Sequence, residues 1–206
     1  MKYRTKGSIL LAAWVMGSLT ALANTTVVMG EEQSIQVEGT IEPMVASLSI
    51  PSKFSFHIDP NNANGDYFST SEYELSNRSG VPLKVFVDKF EASKADGVYQ
   101  FTDVLPTAHK DWLGLSEAET MRDFALGLKV VDASEWVGKA RTETIWAKEV
   151  QDSTDPIEIG VMPDQSGSVH LTLEAKHGLK FSKRIAPSYE ISLLFEFEEN
   201  NASSGN

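Results

Sequence analysis

The side chains best placed to do chemistry lie at residues 59–66, "DPNNANGD", where eight positions hold two aspartates, three asparagines and a glycine. Oxygen-rich loops of this kind bind calcium when alternate side chains converge and a glycine permits the sharp turn, as in D-x-[DN]-x-[DN]-G. Counted from Asp59, oxygens fall at Asp59 and Asn61, but Ala63 takes the fifth place and Asn64 stands where the glycine belongs. Counted from Asn62, the series Asn62, Asn64, Asp66 ends with Tyr67 at the glycine position. Asp and Asn also build turns by bonding their own backbone. Two readings follow: a turn between strands, and a calcium site formed by Asp59, Asn61, Asn64 and Asp66.

The four histidines, His57, His109, His170 and His177, show no H-x-x-x-H or similar ligand spacing, so solvated side chains are expected rather than a zinc site. With no cysteine there is no thiol nucleophile, and no G-x-S-x-G elbow is present. Acidic pairs such as Glu31 and Glu32 are common in a chain with 29 acids, and a glycosidase pair is defined by geometry rather than by sequence. The expectation is a protein that is not an enzyme and carries no cofactor, calcium apart. "KHGLKFSKR" at 176–184 gathers Lys176, Lys180, Lys183 and Arg184 with no acid among them. In so acidic a chain this is either a solvated hairpin tip or a patch for an anionic partner, such as a wall polymer or an acidic face of a neighbour. Trp112, Trp136 and Trp146 fall in the less regular central third. They suit packing, since Trp is mostly buried, or a platform for sugar rings.

Charge and export signals bound the partners. "MKYRTKG" is basic, "SILLAAWVMGSLTAL" is apolar but short of the ~20 residues that span a bilayer, and "ALA" at 21–23 fits a signal-peptidase site. Residues 1–23 therefore read as a signal peptide. Its removal takes three positive charges and no acids, moving the formal charge from −11 to −14. Phosphate binding needs a basic footprint, so nucleic acid is not an expected partner, nor is anionic lipid, and no membrane insertion is expected after cleavage. An exported chain without cysteine has no disulfides, which favours a bacterium, Gram-positive in particular. Neither a lipobox cysteine nor an LPxTG-type motif is present, and the sequence closes on polar "EENNASSGN".

The elements that must hold these residues are strands. Period-two alternation recurs: Val169, Leu171, Leu173 and Ala175; Tyr189, Ile191, Leu193, Phe195 and Phe197; Ile35, Val37 and Ile41; Phe54, Phe56 and Ile58; Leu83, Val85 and Val87; Ile157, Ile159 and Val161. Each run has one dry and one wet face, as antiparallel sheets do. "NNANGD", "NRSGVP", "PDQSGS" and "KHG" mark the turns between them. The spacing predicts one all-β domain over 24–200, an antiparallel β-sandwich of immunoglobulin-like or jelly-roll-like type, with 201–206 as a polar tail. Ser116 and Glu119 form a capping-box pattern and predict one short helix near 117–124 in a crossover. The stretch "NTTVVMGEEQSIQVEGTI" is expected to supply a strand to a sheet edge, its own or a neighbour's.

"SLSIPSKFSFHIDPN", "ELSNRSGVPLKVFV", "FALGLKV", "LTLEAKHGLKF" and "YEISLLFEF" occur in this order. They resemble a largely unannotated group of secreted Gram-positive surface proteins with the pattern IPxxFxFxIDPN … NxSxxPLKVxV … LxAxxG, similar in turn to WxL-type wall-associated proteins. "WLG" and "WVG" are present, but W-x-L is not. The resemblance implies a β-sandwich and a cell-surface location, and it lends no catalytic residue. The resulting expectation is a secreted structural or interaction module at the cell envelope, with a carbohydrate- or calcium-binding module as the alternative. Its partner would be a wall polymer, another surface protein, or a second copy met through the N-terminal strand.

Overall fold

The computed structural model describes residues 46–165 and 167–198. The signal segment, the alternating run at 34–41 and the polar tail lie outside the described residues. The strands belong to a unit that begins at Ala46. They are β1 (Leu48–Ser49), β2 (Phe56–Ile58), β3 (Phe68–Thr70), β4 (Tyr73–Asn77), β5 (Leu83–Ala92), β6 (Thr102–Asp103), β7 (Asp123–Val130), β8 (Ile145–Trp146), β9 (Ile157–Met162), β10 (Gly167–Lys176) and β11 (Tyr189–Phe197). Two short helices interrupt them, α1 (Glu117–Thr120) and α2 (Ala147–Asp152).

The fold is all-β and sandwich-like. The larger sheet runs β1-β4-β10-β7-β6, with β8 also paired to β7. The smaller sheet runs β11-β5-β9, and β2-β3 form a separate hairpin. Pairing is antiparallel except between β6 and β7, which are parallel. The alternation explains the packing. Val169, Leu171 and Leu173 of β10 are buried beside Leu126, Leu128 and Val130 of β7, and they meet Val85, Val87 and Phe90 of β5 in one core. Burying each such side chain contributes about 1.5–3 kcal/mol.

Four local expectations need correction. The Ser116–Glu119 capping box is present, with the Ser116 hydroxyl accepting from the Glu119 amide at 3.3 Å, but the helix ends at Thr120 because Asp123 already opens β7. A second helix, α2, stands between β8 and β9. It buries Ala147 and Val150, and the Gln151 amide donates to the Phe90 carbonyl at 3.1 Å. In β9 the register shifts opposite Val85 and Phe86, so Met162 rather than Val161 continues the buried row after Ile159. Such a bulge adds one residue and reverses which face the later side chains take. Finally, "KHG" and the basic residues after it form no hairpin. Residues 177–188 cross from β10 in one sheet to β11 in the other.

Candidate functional site

The loop at 59–66 closes the β2-β3 hairpin. Its ends meet where the Asp59 amide donates to the Tyr67 carbonyl at 2.9 Å. Asp59 Oδ1 accepts from the Asn61 amide at 3.0 Å, and Asn62 Oδ1 accepts from the Asn64 amide at 2.9 Å. The Asn62 side-chain amide donates to the Asp66 carbonyl at 3.0 Å. Gly65 takes φ +83°, a left-handed value that glycine tolerates without strain. Asp59 and Asn62 thus spend side-chain oxygens on turn backbone, as self-capping turns do. Among the described residues, no group of three or more His, Asp or Glu side chains is gathered as a metal cage.

A groove of about 830 Å³ opens between residues 51–60 and the 181–191 segment. Phe54, Phe56 and Ile58 form one wall, Ile185, Tyr189 and Ile191 the other, and Phe101, Leu126 and Leu173 the floor. Lys53, Lys183 and Arg184 also line it. The structure therefore brings two of the four expected basic residues to one place. Lys183 lies over the Tyr99 ring, 5.5 Å from its centroid. Lys176 instead pairs with Glu174 at 3.4 Å, at the end of β10, and Lys180 is exposed.

β11 bounds the same groove and forms an edge of the smaller sheet. It pairs with β5 on one side and with no strand among the described residues on the other. Tyr189, Ile191, Leu193 and Phe195 pack against the core yet stay only partly buried, and Phe197 is 39 % exposed. Across the ladder, the partners of Ile191, Leu193, Phe195 and Phe197 are Phe90, Val87, Val85 and Leu83, all 0–1 % exposed. Among the described residues the smaller sheet is thus sealed at its central strand β5 and open along β11.

No family model, curated protein or solved structure matches the chain.

The histidines depart from the expectation of solvated side chains, His57 excepted, which is exposed at the groove. His170 Nδ1 lies 2.8 Å from Glu135 Oε1. His109 Nε2 lies 2.8 Å from Asp123 Oδ2, and Arg122 donates to both Asp123 oxygens at 2.7 and 2.8 Å. The Arg122 guanidinium, with His109 assisting, holds the buried Asp123 carboxyl below its usual range. His177 is 6 % exposed amid Phe68, Phe124 and Phe181, with Nδ1 2.8 Å from the Gly178 carbonyl, and burial lowers its pKa. It is buried because the chain turns there from one sheet toward the other, over the core. Gly178 serves close approach: a Cβ there would stand 2.1 Å from Thr120 Oγ1. Among the described residues no histidine bonds a serine or threonine hydroxyl.

The tryptophans are packing residues. Trp136 is 5 % exposed, Trp112 donates to the Pro106 carbonyl at 2.8 Å, and Trp146 lies against Gly127. Sequence reasoning missed the groove, the open edge and Lys53. It also missed Asp103, which accepts from the Tyr189 hydroxyl at 2.8 Å and the Gln151 amide at 2.7 Å, tying β6, β11 and α2 together. Burial, with the adjacent Asp103 charge, pushes the Tyr189 phenol well above its ordinary pKa, so it remains a donor. Nothing local marked Lys53: in "IPSKFSF" it falls on the polar phase of the alternation set by Phe54 and Phe56.

Proposed function

We propose that this is a non-enzymatic protein exported to the surface of a Gram-positive bacterium, where it acts as a structural or interaction module. It works by adding a partner's extended strand to its open edge. The observation that carries this reading is the β11 edge, whose inward side chains stay only partly buried and whose Tyr189 and Ile191 line the 830 Å³ groove. Exposed edges are templates for strand addition, in which backbone bonds supply affinity and side-chain pockets supply specificity. The basic, apolar and peptidase-like parts of residues 1–23 support export. Lys53, Lys183 and Arg184 favour an anionic partner, either a wall polymer or an acidic segment of another surface protein. A carbohydrate- or calcium-binding module has less support. The aromatic groove residues are mainly phenylalanines packed against the core, and Asp59 and Asn62 are engaged with turn backbone.

Phe197→Lys tests the reading. Phe197 is 39 % exposed, so the change spares the core, while an inward lysine on an edge strand blocks further pairing. The fraction of exported protein retained with the producing cells should fall several-fold, with the melting temperature little changed. Unchanged retention of the folded variant would remove the edge from the function.

A further inference from the structure

We infer that the strand accepted by β11 is residues 34–42 of a second copy of this chain, added antiparallel. This rests on the proposed role of the β11 edge and names its partner. The stretch "SIQVEGTIE" has nine residues, as β11 has, and places Ile35, Val37 and Ile41 on one face. Those side chains suit a groove walled by Phe54, Phe56, Ile58 and Ile191. Between Glu31 and Glu42 there are four glutamates and no basic residue, opposite a groove whose lining charges are Lys53, Lys183 and Arg184.

For an antiparallel strand, chain reach selects the second copy. The Ser47 carbonyl accepts from the Arg78 amide at 2.8 Å, and the Ser47 amide donates to Ser79 at 2.8 Å. Asn77 then donates to the Val81 carbonyl at 2.9 Å, and the Pro82 carbonyl accepts from the Glu198 amide at 3.1 Å. These bonds set Ser47 at the Phe197 end of β11. A strand antiparallel to β11 finishes at the other end, beside Tyr189, about 27 Å away at the usual rise per residue. Five residues from Glu42 to Ser47 reach about 17 Å at full extension. A chain cannot therefore supply this strand to its own edge in the antiparallel sense, whereas a neighbour can. Antiparallel addition is also the more stable geometry per residue. Donor and acceptor surfaces differ, so the contact is head-to-tail and repeats from copy to copy.

The absence of cysteine makes the test clean. Two full-chain double variants are exported, purified and mildly oxidised: Ile41→Cys with Ile191→Cys, and Ile35→Cys with Ile191→Cys. The inference expects a ladder of disulfide-linked multimers from the first pair, at least ten-fold above either single-cysteine control. An internally linked monomer from the second pair would mean that the chain's own segment lies parallel to β11, and would overturn the inference. No specific link from either pair would overturn it too. The broader reading is judged separately. If Phe197→Lys still releases the protein from cells while no ladder forms, the edge takes a different strand. If retention is unaffected as well, both readings fall.

Discussion

Single residues set the acid response. His177 is neutral in its buried site, its folded pKa depressed below an unfolded value of about 6.5. The unfolded chain therefore binds the extra proton first. The stability from this site is fully present above about pH 6.5 and is lost as pH falls toward the folded pKa. Denaturant unfolding of the wild type should weaken across that window, while His177→Phe, keeping the aromatic contacts with Phe68, Phe124 and Phe181, should show a flatter profile there. Parallel profiles would show that His177 does not carry the effect. At the β2-β3 turn, Asp59 bonds the Asn61 amide, which motivates a second expectation. Calorimetry should show no calcium binding tighter than about millimolar, the weak end for extracellular modules. A micromolar site abolished by Asp59→Ala would reverse this assignment.

At the scale of elements, depth within the sandwich decides the cost of a charge. Leu173 in β10 is 5 % exposed, while its neighbour Thr172 faces outward and is half-buried. Leu173→Asp should unfold the protein, since an unpaired buried carboxylate costs several kcal/mol of the ~5–15 kcal/mol available. Ile191→Asp, on the open edge, should cost distinctly less, and Thr172→Asp little. Equilibrium unfolding of the three variants reads the order, and a silent Leu173→Asp would refute the register. The register of β10 was legible in advance because alternation alone determines it. That of β9 was legible only as far as Ile159, because the bulge that puts Met162 inside depends on the facing strand. α2 was not legible, since six residues around Ala147 and Val150 carry too short a helical period. The basic run at 176–184 could be found by charge, but its division between groove and β10 follows from a crossover that no local pattern encodes.

For the molecule as a whole, the sheets enclose their core unevenly. Along β9, the Val137 amide donates to the Val161 carbonyl at 2.8 Å and the Arg141 amide to Ile159 at 2.7 Å, so chain covers that margin. Among the described residues the opposite margin, along β11, is the open one, and the two differ in kind although they bound one three-stranded sheet. Sheet class followed from the sequence, but this asymmetry did not. Which strand lies outermost is a property of topology, and β11 has as regular an alternation as β10.

The pairing of β11 with β5 joins residues such as Lys89 and Glu190, 101 positions apart. Contacts so distant along the chain are slow to form, because the loop must close before they repay its entropy. The proposed export, which threads the chain from its N-terminus, adds a temporal order to that cost. Residues 34–42 emerge early, whereas one groove wall waits for residues 181–191. On the proposed strand addition, each molecule presents what it donates before it can receive. On that proposal a young chain joins the edge of an older one, but must finish its own last strand before the next can follow.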